Sequence, residues 1–170
     1  VVETACAQRY GAVSLLALDW RKALDRVDLA SLLWALRRFG LPDGIVDMIS
    51  GLMLDRTFFV EDLGATSTTR PQRTGITQGC TLSPLLFITL MTMVMQDAVA
   101  LLSPEAQAAY SKGDLADPVF ADDTLLLGAC AAHVSEFLSA VAAGGSQYGL
   151  ELHFGKLQFL QMGGKRVVCK

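Results

Sequence analysis

The stretch PVFADDTLLL, Pro118 to Leu127, sets two adjacent carboxylates, Asp122 and Asp123, between short apolar runs. Successive residues of a strand point to opposite faces, so neighbouring aspartates reach one site only where the chain turns. The flanks predict that turn. Strands are expected over 119–121 and 124–127, and Leu125, Leu126 and Leu127 are apolar in succession, as in a strand covered on both sides. A surface hairpin tip is the plainer reading. Such tips favour Asn-Gly or Asp-Gly, and this one has no glycine.

About a hundred residues upstream, the apolar run AVSLLAL, Ala12 to Leu18, reads as a buried strand and ends at another carboxylate, Asp19. Three carboxylates at strand ends can converge on one site. Unneutralised, they repel and raise one another's pKa values. A divalent cation removes that penalty, and a few hard oxygen ligands with room for water suit Mg²⁺. Two such ions activate an attacking oxygen and stabilise a leaving one in phosphoryl chemistry.

The rest of the chain predicts an α+β fold, an antiparallel sheet with helices on one face. Asp28 is expected to N-cap a helix with Leu29, Leu32, Leu33, Leu36 and Phe39 inward, stopped by Gly40 and Pro42. A second helix carries Ile45, Val46, Ile49, Leu52 and Met53 as its stripe. RTFFVED and TSTTRPQRT read as an exposed hairpin around Gly64. Ser83-Pro84 reads as an N-cap and first-turn proline of an apolar helix to Met95, ~18 Å long and too short for a bilayer, hence a core helix. A short helix is expected from Ser103-Pro104-Glu105. Another runs over 131–147 with Val134, Phe137, Leu138 and Val141 inward. Strands at 150–154 and 157–162 follow, then a Gly163-Gly164 turn.

The 170 residues suffice for one domain with a sizeable core. Hydrophobic residues are 52% and charged residues 18%, which excludes a disordered chain. The net charge of −3 gives no electrostatic footprint for nucleic acid and counts against a polymer-binding reading. Cys6, Cys80, Cys130 and Cys169 form no CxxC pair, and His133 and His153 have no ligand spacing, so neither a zinc site nor a disulfide scaffold is indicated.

Four stretches together resemble reverse transcriptases. FADD resembles their [YF]xDD hairpin, and LALDWRKALDRVD looks like their first catalytic motif. RTGITQGCTLSPLLF is similar to their QGxxxSPxLF motif, and YGLELHFGKLQFL resembles the later GLxxNxxK motif. The flavour is that of non-LTR retrotransposons and group II intron enzymes. The resemblance implies a polymerase palm with a ferredoxin-like core plus part of the fingers, one domain over 1–170, with the basic N-terminal fingers and the thumb outside it.

The same resemblance implies an RNA-directed DNA polymerase. Asp19, Asp122 and Asp123 would hold two Mg²⁺ ions (Mn²⁺ being an alternative). Amides around Lys22 and Ala23 would hold the dNTP triphosphate, and Leu24 would lie against its sugar. Gln78 and Gly79 would line the nucleotide and template pocket, and Lys156 would act as general acid for departing pyrophosphate. The implied partners are an RNA template, a DNA primer and dNTPs, with no membrane. The implied setting is intracellular: the nucleus or a cytoplasmic ribonucleoprotein for a eukaryotic retroelement, and open otherwise. Leu24 stands where the family usually has an aromatic residue, and His153 where it usually has Asn. Two other readings stand beside this one. A decayed or domesticated palm would serve as an interaction module. An RNA-templated RNA polymerase usually carries Gly-Asp-Asp, which Ala121 disfavours.

Overall fold

The structure, a computed structural model, describes residues 12–120 and 123–162. The elements run β1 (Val13–Leu18), α1 (Ala23–Arg26), α2 (Leu29–Phe39), α3 (Asp43–Met53), β2 (Thr57–Phe58), β3 (Glu61–Asp62), β4 (Ala65–Thr66) and β5 (Arg70–Pro71). Then come α4 (Ser83–Ala100), α5 (Pro104–Lys112), β6 (Leu115–Ala116), β7 (Val119–Phe120), β8 (Asp123–Gly128), α6 (Ala131–Ser146) and β9 (Gln158–Met162). Ala121, the expected Gly163-Gly164 turn, Cys6 and Cys169 lie outside the described residues.

Among the described residues the main sheet has the order β6-β8-β1-β9, and β7 also pairs with β8. Every pairing is antiparallel. Taking β6 and β7 as the second strand, this is the split βαβ order of a ferredoxin-like core. Alternation along β1 and β8 buries Leu16, Leu18, Thr124 and Leu126 beneath α6, on which α4 packs, and leaves Leu15, Ala17, Leu125 and Leu127 half-buried on the other face. Leu90, Val94, Phe137 and Val141 fill the space between helices and sheet and are fully enclosed.

Local chemistry accounts for the helix ends. Asp28 Oδ2 accepts from the Ser31 amide at 2.7 Å, and Gly40 at φ 101° closes α2. Ser103 caps α5. Two glycines stand inside α6, where they cost helix propensity. Close packing explains them. A methyl on Gly145 would sit 2.7 Å from the Trp20 ring, and one on Gly144 would sit 3.2 Å from the Val94 carbonyl on α4.

Several expectations are corrected. The helix opening the apolar stretch starts at Ser83, and Ser83 Oγ donates to the Thr77 carbonyl instead of capping. That helix runs on to Ala100, because Asp97 is paired: Arg38 Nη1 and the Tyr148 hydroxyl both donate to it, at 2.7 and 2.6 Å. By length and composition α4 is now long enough to cross a membrane, yet over half of it is buried inside this fold. Residues 150–154 form no strand. They make one bridge, Trp20 to Leu152, and then a 3₁₀ turn over Phe154–Lys156. Phe39, Ile45 and Leu52 face outward, because α2 and α3 bury narrower stripes than their apolar residues allow. The hairpin around Gly64 exists as two short exposed ladders, β2–β5 and β3–β4.

Between α4, α5 and β7, Tyr110 Oη donates to Asp117 Oδ1 at 2.7 Å. Burial raises the Asp117 carboxyl pKa, and burial with this hydrogen bond pushes Tyr110 up to about 12. A carboxyl raised in the folded state destabilises the fold once ionised. Stability is therefore lost as pH climbs from the unfolded carboxyl value of ~3.9 through the raised native one. Asp117→Asn, which keeps an acceptor for Tyr110, should be more stable than wild type at pH 7. Its advantage should vanish below about pH 4 in urea titrations.

Gly149 (φ +81°) admits no side chain, since a methyl there would lie 2.6 Å from the Arg26 carbonyl. Gly113 (φ +79°) has open space. Gly113→Ala should cost about 1 kcal/mol of unfolding free energy from backbone strain alone. Gly149→Ala should cost more than about 2 kcal/mol by the same measurement.

Candidate active site

The site begins where β1 ends. Leu18 pairs with Thr124 as the last step of the β1–β8 ladder, and Asp19 and Asp123 are the residues that flank this pair along the two chains. Leu18 and Thr124 are buried on the helix face. Asp19 and Asp123 therefore emerge on the other face, Asp19 half-buried and Asp123 exposed. The β7–β8 hairpin pairs Phe120 with Asp123, and Asp122, between them, lies outside the described residues. Trp20 turns inward and its Nε1 donates to Thr124 Oγ1 at 3.3 Å, which ties the two strand ends together under the carboxylates.

Neighbouring carboxylates on one face repel unless balanced. Lys156 Nζ lies 3.2 Å from Asp19 Oδ2 and supplies one positive charge. The donors are hard carboxylate oxygens, the type that fits a small divalent cation. Among the described residues no group of three or more His, Cys, Asp or Glu side chains gathers into a metal site. Asp19 and Asp123 are the two described members of the expected set.

The segment 151–156 is laced to the end of β1. His153 N donates to the Asp19 carbonyl at 2.8 Å, Arg21 N to the Glu151 carbonyl at 2.8 Å, and Lys156 N to the His153 carbonyl at 2.8 Å. Lys22 takes up a left-handed conformation, φ 48°, and Ala23 is buried as the first residue of α1. A cavity of about 330 Å³ opens here, lined by Asp19, Arg21, Lys22, Arg26, His153 and Lys156. His153 thus sits against Lys156, in the place noted as a departure from the family pattern.

Leu24, Gln78 and Gly79 share a second cavity of about 430 Å³, closed on its far side by Ser83, Pro84 and Phe87. The amides of Gly75 and Ile76 donate to the Val27 and Leu24 carbonyls at 2.8 and 2.7 Å. Gln78 Nε2 donates to Asp25 Oδ1 at 3.0 Å, so Asp25, in the first turn of α1, holds Gln78. Cys80 also lines this cavity, and hydrogen bonding, chiefly from the Leu82 amide, pulls its thiol pKa below the usual value.

The sequence-derived residues thus fall into two groups, Asp19, Lys22 and Lys156 at one cavity and Leu24, Gln78 and Gly79 at the other, with Ala23 buried at the start of α1 and Asp123 next to the Thr124 that pairs with Leu18. Sequence reading missed three arginines and a glutamate. Arg56 donates to the carbonyls of Met53 and Gly75 at 2.9 and 2.7 Å and also to Thr77 Oγ1. Arg21 and Arg26 both pair with Glu151. The one available signal was Glu151 itself, set between Leu150 and Leu152, both buried.

A family model described as reverse transcriptase (RNA-dependent DNA polymerase) matches residues 3–166. A Retrovirus-related Pol polyprotein from type-1 retrotransposable element R2 of Popillia japonica is 35% identical over 116 residues, 67% of this chain and 18% of that protein. Its counterpart from Nasonia vitripennis is 36% identical over 140 residues, 79% of this chain and 13% of that protein. The chain therefore spans less than a fifth of the length of these relatives. Among solved structures, apo telomerase from Candida tropicalis truncated from its C-terminal domain superposes with a TM-score of 0.70 at 16% identity, over 95% of this chain and 32% of that one. Telomerase from Candida albicans, in complex with a fragment of telomeric RNA, gives 0.68 at 15%, over 93% of this chain and 30% of that one. At that identity the likeness is one of fold.

Arg56 holds the loop beneath the second cavity through charge-assisted bonds. Arg56→Ala should speed amide hydrogen exchange at Gly75 and Ile76 by about 10-fold or more, with exchange in α6 unchanged. Equal protection in variant and wild type would show that the loop holds without it.

Proposed function

Because the chain belongs to the reverse transcriptase (RNA-dependent DNA polymerase) family, we propose that it forms the palm and part of the fingers of an RNA-directed DNA polymerase of a non-LTR retroelement. The observation that supports the reading is the β1–β8 register, whose last pair, Leu18 with Thr124, is flanked by Asp19 and Asp123, with the Lys156 ammonium on Asp19. In the reaction, the 3′-oxygen of a DNA primer bonds to the α-phosphorus of a dNTP paired with an RNA template. The bond from that phosphorus to the bridging oxygen breaks, and pyrophosphate departs.

Asp19, Asp122 and Asp123 would hold two Mg²⁺ ions, with Mn²⁺ able to replace them. Such ions, when bound, acidify the attacking hydroxyl and offset charge on the phosphates. The chain's own groups do the remaining work. Lys156 Nζ hands a proton to the departing pyrophosphate oxygen. The corner at Lys22 and Ala23 receives the triphosphate. Leu24, with Gln78 and Gly79 across the same cavity, borders the nucleotide and its template base. Leu24 is bulky without being flat, so it restricts the sugar's 2′ side less sharply than a ring does.

The test is single-nucleotide incorporation on a primed RNA template by the full-length polypeptide that contains this chain. Asp122→Asn should lower the rate by at least ~10³-fold, the scale of several kcal/mol of lost charge stabilisation, with the unfolding transition little changed. Extension at the wild-type rate would overturn the assignment.

A further inference from the structure

We propose that Arg21 and Arg26 are ligands of the nucleotide's triphosphate tail, and that the Glu151 carboxylate holds them until the tail displaces it. The proposal rests on the polymerase reading above and adds residues to it. Its geometric basis is a single carboxylate shared by two guanidinium groups. Glu151 Oε1 faces Arg21 Nε at 3.3 Å, and Oε2 faces Arg26 Nη2 at 2.7 Å. The two arginines come from opposite sides of the corner that Lys22 turns, and both line the cavity that has Asp19 and Lys156 on its wall.

Charge decides what the cavity accepts. Arg21, Lys22, Arg26 and Lys156 face it, and the carboxylates in contact with them are Asp19 and Glu151. The cavity lining itself is left positive, with the Asp123 carboxylate beyond it, in a chain whose net charge is −3. Guanidinium pairs readily with phosphate oxygens in a two-pronged geometry, and a triphosphate carries more charge than one carboxylate.

Exchange is feasible because the three side chains are 47%, 45% and 44% exposed, so their ion pairs are weak and solvent-screened. The corner does not depend on them. Its main chain is fixed by Arg21 N to the Glu151 carbonyl, by the Trp20–Leu152 bridge, and by Asp28 N to the Tyr148 carbonyl at 2.9 Å. Glu151 thus acts twice. Its carbonyl anchors the corner permanently, and its carboxylate occupies the arginines reversibly.

The experiment measures binding of metal-free inorganic tripolyphosphate to the 170-residue chain in EDTA by calorimetry, and the KM for dNTP in the full-length polypeptide. Arg26→Gln and Arg21→Gln should each weaken tripolyphosphate binding about 10-fold. Glu151→Gln, which removes the competing charge and keeps the shape, should tighten it about 3-fold, and should do nothing in an Arg21→Gln/Arg26→Gln background. In the full-length polypeptide the arginine variants should raise KM with kcat little changed. A purely structural Glu151 predicts the opposite sign, with looser binding and a lower unfolding temperature in Glu151→Gln. That result, or arginine variants that bind like wild type, overturns the proposal. If Glu151→Gln fails to fold, the arginine variants alone decide. Tripolyphosphate binding as expected without any nucleotide incorporation would refute the polymerase reading and leave this site standing. Loss of incorporation in Asp122→Asn with unaltered arginine variants would do the reverse.

Discussion

The antiparallel register of β1 on β8 governs the molecule. Pairing Leu18 with Thr124 commits Leu16, Leu18 and Leu126 to the core and, by the two-residue period, sends Asp19 and Asp123 the other way. A slip of one residue would reverse every side chain on the strand. It would drive a carboxylate toward the space under α4 and α6, at a cost of several kcal/mol for each unpaired charge. The apolar packing of the helix face is therefore what positions the acidic pair. The chemistry at the strand ends is a consequence of the core, set by the same alternation.

That constraint explains why a cavity opens at the strand end. After Asp19 the chain cannot continue along the sheet, because Trp20 turns into the core and bonds Thr124. It must turn sharply, and it does so through Lys22 in a left-handed conformation. Segment 151–156 covers the turn from one side and the loop at 75–79 from the other, each through backbone hydrogen bonds. Charged side chains then gather at the corner. A net charge of −3 says little about where the charges lie, and Arg21, Lys22, Arg26 and Lys156 line one cavity.

The periodic signals were readable from the sequence. The run at 12–18, the interrupted apolar stretch at 118–127, the Asp28 cap and the stripe of α6 all depend on neighbours within a few residues, and the structure has each of them. Residues of the reverse-transcriptase-like motifs line both cavities. What sequence could not supply were pairings between distant segments. Helix α4 passes Gln96 and Asp97 because Arg38 of α2 pairs with Asp97 and the Tyr148 hydroxyl, from the turn after α6, donates to it. Residues 150–154 look like a strand, yet Trp20 offers them a single bridge and the Lys156 contact with Asp19 favours a tight turn. Phe39, Ile45 and Leu52 satisfy a helical stripe but have no opposing surface here. The pairing of Arg21 and Arg26 with Glu151 spans more than 120 positions and has no local signature.

A division of labour runs through the site. Bonds that fix the backbone, such as His153 N to the Asp19 carbonyl and Ile76 N to the Leu24 carbonyl, are made by main-chain groups whose loss would leave polar atoms stranded. Ion pairs at the surface of the same corner are half-exposed and contribute little to stability. A site for the triphosphate exchange proposed above would need both properties together. If its cations were locked in buried pairs, a ligand would have to break bonds worth several kcal/mol, and if its backbone were loose, each arrival would cost ordering entropy. Rigid main chain with exchangeable side-chain charge avoids both costs, and the strand register that places Asp19 and Asp123 makes that arrangement possible.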